Sequence, residues 1–198
     1  MPLREPTAII IDNFLSDPDG VRQIGLTQDY SESPWYKGRR SAKTFPQIVT
    51  PADIEPFLPG KKIIGWEGRH PMNARFQYCT PADPLVFHTD LQRWAGALYL
   101  TPAAPLQSGT TLYRHRATHE RFAPKDAYQC SRVFNSRSLF DKTMWEPIDQ
   151  IGNVYNRLVL WDGRHAHAAS EYFGENVNDA RLFMIFFFDT DDMKETPQ

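Results

Sequence analysis

The feature that most constrains this chain is a series of short apolar or alternating runs after about residue 70. The runs are ARFQYCT (74–80), PLVFHTD (84–90), WAGALYLT (94–101), GTTLYRH (109–115), NRLVLWDG (156–163) and RLFMIFFFD (181–189). Each is bounded by Pro, Gly, Asp or Asn, which end strands and form turns. Because the runs follow one another without clear helices between them, they predict an antiparallel β sandwich or barrel. The 16 prolines of the chain also disfavour long helices.

The N-terminal third carries a different pattern. The β-branched run TAIIIDNFL predicts a strand, and the SDPDG that follows predicts a helix to about residue 28, with Ser16 or Asp17 as N-cap and Pro18 in its first turn. A second short helix is predicted after Thr50, in TPADIEPFLPG. Residues 30–62 otherwise show no sustained period and predict a surface loop region. Four of its aromatic and basic residues could instead line a substrate entrance: Trp35, Tyr36, Arg39 and Arg40.

Length and charge limit the class of protein. At 198 residues the chain predicts one domain, with an N-terminal strand and helices over 1–70 and a barrel core over 71–190. The segment 115–151 has no assignable pattern. With 23% charged residues and a net charge of -2, nothing indicates a nucleic-acid or membrane partner, and a small-molecule or protein substrate fits better. The sequence leaves the oligomeric state open.

Two features bear on the compartment. The first residues contain only a short run of isoleucines, too short for a signal segment or a spanning helix, so a cytoplasmic protein is expected. Cys79 and Cys130 have no metal-site or redox-motif spacing. Both are therefore predicted to be reduced thiols.

A candidate metal site is formed by two separated motifs. His88 and Asp90 stand two positions apart in FHTD, so in an extended chain their side chains point to one face. One such pair is common by chance. In NRLVLWDGRHAHAA, however, a strand and an Asp-Gly turn lead to histidines that could supply a third ligand, and of these we prefer His167. His165 has the same parity and remains an alternative. Two imidazoles and one carboxylate are the facial triad typical of non-haem Fe(II) sites.

The remaining polar candidates have plainer explanations. A single histidine is more often a hydrogen-bonded or exposed side chain than a ligand, and His70, His115 and His119 are given that interpretation. Arg181 is unusual because it opens RLFMIFFFD, the most hydrophobic run of the chain. A buried guanidinium there requires a carboxylate or phosphate partner. An exposed strand end or a protein carboxylate would serve equally well, and position alone does not decide.

The order of these motifs resembles that of the 2-oxoglutarate- and Fe(II)-dependent dioxygenases, in particular the prolyl 4-hydroxylase-like branch. The resemblance covers roughly residues 72–189. It is carried by FHTD, by GALYLTP followed by SGTTLYRH, by NRLVLWDGRHAHAA and by RLFMIFFFD, and AIIIDNFLSDPDGVRQ resembles the family's opening strand and helix. The implied fold is mainly β: a double-stranded β-helix, or jelly-roll barrel, with helices on one outer face.

The resemblance implies a metal centre and an activity. His88, Asp90 and His167 would be the catalytic iron ligands. Fe(II) and 2-oxoglutarate would be required, with ascorbate as a possible reductant, and O2 would be consumed. Oxidative decarboxylation of 2-oxoglutarate would be coupled to hydroxylation of a small-molecule or peptide substrate. Because the carboxylate of Asp90 is present, hydroxylation is favoured over halogenation.

The resemblance also implies a cosubstrate site. Arg181 would bind the distal carboxylate of 2-oxoglutarate, with Tyr99 beside it and Tyr78 as a further donor. Either tyrosine could instead be a core aromatic. Two departures from the family stand out. The segment between His167 and Arg181 is long, which predicts an enlarged turn, and a serine replaces a glycine in Ser108-Gly109, which requires an ordinary backbone angle there.

Two other classes of function stay open at this point. One is a cupin-like protein that binds a metal or small molecule without redox activity. The other is an interaction domain in which the polar residues serve only structural hydrogen bonds. The substrate is not identified: the WYKGRR loop and Trp94, with the 115–151 segment, could form an aromatic and basic rim over the barrel mouth, although a solvated loop explains the same residues.

Overall fold

The computed structural model describes residues 6–34, 36–58 and 60–192. The strands are β1 (Ala8–Ile11), β2 (Tyr30–Ser33), β3 (Tyr36–Ser41), β4 (Ile63–Ile64), β5 (Arg75–Cys79), β6 (Trp94–Tyr99), β7 (Thr110–His115), β8 (Trp145–Ile151), β9 (Leu158–Asp162), β10 (His167–Ala169) and β11 (Arg181–Thr190). The helices are α1 (Pro18–Leu26), α2 (Pro51–Ile54) and α3 (Ala127–Val133).

The strands form two antiparallel sheets. The major sheet has eight strands in the order β1-β9-β6-β11-β5-β3-β2, with β4 paired to the end of β11. The minor sheet has the order β10-β7-β8. Strands β1, β2 and β3 come from the N-terminal third, so that region contributes strands to the major sheet as well as the helices α1 and α2.

Alternation along the strands of the major sheet separates two cores. On β11, Leu182 and Met184 pack into a core that also holds Ile54 and Leu58 from the helical side. Phe183, between them in sequence, packs into a second core that faces the minor sheet. Successive side chains of a strand point to opposite faces, and the 10-residue β11 is apolar on both because both faces are covered.

The helices begin where the capping residues predict. The Asp17 carboxylate accepts a hydrogen bond from the Gly20 amide at 2.9 Å and caps α1. The Asp53 carboxylate accepts from the Thr50 amide at 2.8 Å at the start of α2. Neither cysteine forms a disulfide, as predicted. No helix in the described ranges is long and apolar enough to cross a membrane.

Two sequence-based expectations need correction, and the segment that the sequence left unassigned has defined structure. PLVFHTD does not form a strand: within 84–90 the backbone makes only an isolated bridge, between His88 and His167. The expected loop over 30–62 contains β2 and β3, whose alternation is masked by polar residues on both faces. The unassigned 115–151 segment contains α3 and β8, the edge strand of the minor sheet.

Candidate metal centre and cosubstrate cavity

The two histidines of the candidate triad are held together by backbone hydrogen bonds. The His88 amide donates to the His167 carbonyl at 3.1 Å, and the His167 amide donates back to the His88 carbonyl at 2.9 Å. The Asp90 amide donates to the Gly163 carbonyl at 2.7 Å. A Cβ at Gly163 would lie 2.6 Å from the Gln92 carbonyl oxygen, so only glycine lets the two segments approach this closely.

The three side chains of this triad converge on one point. His88, Asp90 and His167 each offer a ligand atom, and these atoms lie within 4.8 Å of one another. Asp90 oxygens lie 3.8 Å from His88 Nε2 and 3.3 Å from His167 Nε2. Metal–ligand bonds of about 2.1 Å at right angles separate neighbouring ligands by about 3 Å. The observed spacing therefore fits a facial triad after a shift of less than about 1 Å.

Hydrogen bonds on the far side of each ring select the nitrogen that faces this point. His88 Nδ1 lies 3.0 Å from the Val86 carbonyl oxygen, and His167 Nδ1 lies 2.8 Å from the His165 carbonyl oxygen. A carbonyl can only accept, so each Nδ1 carries the proton and donates it. Both Nε2 atoms then keep a lone pair for a cation, which is the usual arrangement of metal-binding histidines.

The Asp90 carboxylate is suited to a cation and lacks a hydrogen-bond donor. Its Oδ2 atom is buried and has no hydrogen-bond partner among the described residues. Burial acts to raise the pKa of Asp90, but His167, His88 and Arg40 together outweigh it, and the pKa lies below its usual value. Burial and the neighbouring His167 lower the pKa of His88. An ionised carboxylate beside a neutral imidazole is the protonation state that binds a metal.

The alternative ligand His165 is committed elsewhere. It is fully buried, its Nε2 accepts a hydrogen bond from Arg121 Nε at 3.0 Å, and its Nδ1 lies 3.0 Å from the Ala166 carbonyl. Its ring contacts Phe122 edge to face, at 5.0 Å between centroids. It forms an isolated antiparallel bridge with Phe122 two residues before β10, away from the bridge that places His167 beside His88.

Arg181 is buried, with 3% of its surface exposed. Its Nε donates to the Ser108 carbonyl at 2.8 Å and its Nη2 to the Gly109 carbonyl at 3.1 Å. Its Cζ lies 4.4 Å from the centroid of the Phe183 ring. Within the described part of the chain no carboxylate is within ion-pair distance of this guanidinium, so the expected alternatives of a protein carboxylate and an exposed strand end are both excluded there.

The turn that receives Arg181 agrees with the sequence expectation. Ser108 ends a 3-10 turn (Leu106–Ser108) and does not have a positive φ, so serine is accommodated. Gly109 lies against β8: a Cβ there would collide with the Ile151 carbonyl oxygen. This glycine thus permits the close approach that presents two carbonyls to Arg181.

The two predicted tyrosines differ in position. The Tyr99 hydroxyl is buried and hydrogen-bonded to the Thr110 hydroxyl at 2.8 Å, on the face of β6 toward the second sheet and Arg181. Tyr78 instead packs on the helical side of β5, edge to face with Tyr30 at 4.9 Å. The register pairs Cys79 with Arg181, so Tyr78 points away from it. We therefore leave Tyr78 out of the proposed cosubstrate site.

One cavity of about 970 Å³ is lined by the triad and by Arg181. Its other lining residues include Gln77, Thr110, Leu139 and Tyr172, to which the sequence motifs assigned no role in the site. Tyr172 lies in the enlarged turn before β11, and burial raises the pKa of its hydroxyl. Its position follows from the path of that turn, for which the sequence carries no periodic signal.

The predicted substrate entrance is partly realised. Tyr36 and Arg40 line the cavity, whereas Arg39 points to the other face of β3 and forms an ion pair with Glu32 at 2.6 Å. Trp35 lies outside the described residues. Trp94 does not form a rim, because it is 1% exposed and stacks on a core phenylalanine. From the 115–151 segment, Leu139 and Phe140 reach the cavity.

Comparisons with known proteins bear on the fold. No family model matches the chain, and no curated protein matches it. Among solved structures, HygX from Streptomyces hygroscopicus, with nickel and 2-oxoglutarate bound, superposes with a TM-score of 0.54 at 11% identity, covering 92% of this chain and 82% of that one. A second HygX structure, with nickel, 2-oxoglutarate and hygromycin B bound, gives a TM-score of 0.53 at 11% identity and the same coverage of 92% and 82%.

A prolyl-4-hydroxylase from Pseudomonas putida is also similar, with a TM-score of 0.45 at 13% identity over 92% of this chain and 91% of that one. At these identities the likeness concerns the architecture. The two antiparallel sheets, the helices α1 and α2 against one outer face and the superposition on HygX confirm the expected double-stranded β-helix fold.

Proposed function

We propose that this protein is an Fe(II)- and 2-oxoglutarate-dependent oxygenase that couples oxidative decarboxylation of 2-oxoglutarate to hydroxylation of a small-molecule or peptide substrate. The observation that carries the proposal is the presence, in one cavity, of a facial triad and a buried arginine that has no carboxylate beside it among the described residues. The first group suits a divalent cation, and the second suits an organic anion.

His88, Asp90 and His167 would hold the iron. Both imidazoles present an unprotonated Nε2, and the ionised Asp90 oxygen has no competing donor. Three ligands on one side leave coordination positions for 2-oxoglutarate and O2. When bound, the iron supplies the redox chemistry that couples the reduction of O2 to the loss of CO2 from 2-oxoglutarate and to oxygen insertion into a C–H bond.

The other cavity residues would position the cosubstrate. Arg181 offers its remaining N–H groups to the distal carboxylate, while its bonds to the Ser108 and Gly109 carbonyls fix the plane of the guanidinium. Thr110 lines the cavity, and its hydroxyl, paired with Tyr99, is a neutral donor beside that charge. Arg181 and Tyr99 are buried, and the lower dielectric around buried groups strengthens these interactions.

The proposal is tested by measuring succinate formed from 2-oxoglutarate with Fe(II) and O2, together with the thermal shift on adding 2-oxoglutarate to the metal-loaded protein. Wild type should show both. Asp90→Ala should lose both, whereas Asp149→Ala, at an exposed aspartate of β8, should keep both. A metal-induced shift without any response to 2-oxoglutarate would instead favour a cupin-like binding protein.

A further inference from the structure

A second arginine, Arg40, lines the same cavity from β3. The register pairs it with Gln77 of β5, whose side chain also lines the cavity. Arg40 Nε donates to the Gln77 side-chain oxygen at 2.6 Å, and the Gln77 amide nitrogen donates to the Lys37 carbonyl at 2.9 Å. Because the Gln77 side chain is hydrogen-bonded through both its oxygen and its nitrogen, it fixes the orientation of Arg40, and the two Nη groups of the guanidinium face the cavity.

The cavity that Arg40 lines has more cationic than anionic side chains. Four cationic side chains line the cavity, Lys37, Arg40, Arg69 and Arg181, against two carboxylates, Asp90 and Asp189. Asp90 belongs to the triad, and Asp189 lies 3.3 Å from both Arg69 and His70. In the ranges that the structure describes, no carboxylate is within ion-pair distance of Arg40. The cavity is therefore cationic in a chain whose net charge is -2.

The neighbour on the same strand behaves differently. Arg39 points to the other face of β3, pairs with Glu32 at 2.6 Å and lies 3.7 Å from Asp83. The arginine on the outer face of β3 thus has acidic partners from β2 and from the turn after β5, whereas the one on the cavity face has none within ion-pair distance among the described residues. Burial lowers the pKa of Arg40 to about 10, so it remains a cation at neutral pH. The Asp90 carboxylate attracts Arg40 from beyond ion-pair distance, and a carboxylate ligand in direct contact would stabilise this partly buried cation further.

Arg40 and Arg181 occupy separate places in the cavity. One strand, β5, lies between theirs, and their partners on β5, Gln77 and Cys79, are two residues apart. With strands about 4.8 Å apart and a rise of about 3.3 Å per residue, the two Cα atoms are separated by about 12 Å. A cavity of about 970 Å³ has room for a second small molecule beside 2-oxoglutarate.

We infer that Arg40 binds a carboxylate of the primary substrate, so that the substrate class is a small carboxylic acid, amino acids and short peptides included. The inference rests on the proposed function for the reaction that follows binding. A single planar guanidinium with two free Nη groups matches a carboxylate, which accepts two parallel hydrogen bonds. The Tyr36 ring, 4.2 Å from the Arg40 Cζ, covers one face of the guanidinium and restricts approach to its edge.

The test compares acids with their amides. Wild type, Arg40→Met and the control Arg39→Met are loaded with Mn(II) and saturating 2-oxoglutarate, which occupies the Arg181 site. Each protein is then titrated with the proteinogenic L-amino acids and with dipeptides, each beside its primary amide, and the apparent Kd is taken from the thermal shift. Arg40→Gln is a second variant that keeps a hydrogen-bonding side chain without the charge.

Wild type should bind at least one acid at least tenfold more tightly than its amide. Arg40→Met and Arg40→Gln should reduce that preference to less than twofold while keeping the 2-oxoglutarate shift, and Arg39→Met should keep it. An absence of acid preference in wild type, or its survival in both Arg40 variants, would overturn the inference. If 2-oxoglutarate fails to stabilise wild type, the proposed function fails separately, and the acid–amide comparison without it still tests Arg40.

Discussion

Replacing Arg181 by Met should separate ligand binding from fold stability. In the ligand-free protein the guanidinium donates two hydrogen bonds to backbone carbonyls, at 2.8 and 3.1 Å. Hydrogen bonds from a charged donor contribute about 1.5–3 kcal/mol each. The same substitution removes a buried cation that has no carboxylate partner in the described chain, and the desolvation of such an ion costs several kcal/mol. These two effects oppose each other, so the free energy of unfolding should change by less than about 2 kcal/mol.

The effect on 2-oxoglutarate should be much larger. Loss of one partner from a buried, hydrogen-bonded charge pair costs about 2–5 kcal/mol. At about 1.4 kcal/mol per factor of ten, the Kd of 2-oxoglutarate should rise about 30- to 4,000-fold. Calorimetric titration of the Mn(II)-loaded protein measures this Kd directly, and chemical denaturation without ligand measures the stability.

Arg157→Met is the matched control. Arg157 also donates to a carbonyl, that of Gly152 at 3.2 Å, and pairs through two nitrogens with Asp12 at 2.6 and 3.0 Å, outside the cavity. It should leave the Kd of 2-oxoglutarate within twofold. A wild-type-like Kd in Arg181→Met would refute the assignment of the distal carboxylate to this residue. Equal losses in both variants would point to a general loss of structure instead.

Three further predictions concern the triad, the turn and an ion pair. His167→Ala should abolish Mn(II) binding by calorimetry and His165→Ala should retain it; the reverse result would exchange the ligands. Gly109→Ala should weaken 2-oxoglutarate binding at least tenfold, because a Cβ there displaces the carbonyls that hold Arg181, and unchanged binding would contradict that account. Burial acts to raise the pKa of Asp162, but two neighbouring arginines outweigh it and the pKa lies below its usual value. The stabilisation that the ionised Asp162 provides is therefore complete above the unfolded pKa of about 3.9, and it is lost as the pH falls through the folded value. Asp162→Asn should lower the free energy of unfolding at pH 7 by about 3–5 kcal/mol, as measured by chemical denaturation. It should also reduce the loss of stability at acid pH, and a dependence on acid pH like that of wild type would disprove this account.

Much of the barrel could be predicted from the chain, because strand formation depends on local alternation and turn residues. ARFQYCT, WAGALYLT, GTTLYRH, NRLVLWDG and RLFMIFFFD all contain the strands expected of them. The strand expected in PLVFHTD does not form, because its apolar residues pack beside the minor sheet without a paired neighbour along their length. β2 and β3 were missed because β2 is stabilised by pairing with β3, and β3 by pairing with β5, and not by an apolar face of their own.

The sequence by itself determined the types of group available: a His-x-Asp pair, a distal pair of histidines and an arginine at the head of the most apolar strand. Only the tertiary structure decided which of these meet. His165 and His167 share a parity, but His165 bridges to Phe122 whereas His167 bridges to His88. The register of β5 against β11 turns Tyr78 toward the helices and brings Arg40, through Gln77, to the cavity. The reason is physical: alternation is a local property of the backbone, whereas register and sheet closure depend on pairing between residues far apart in the chain.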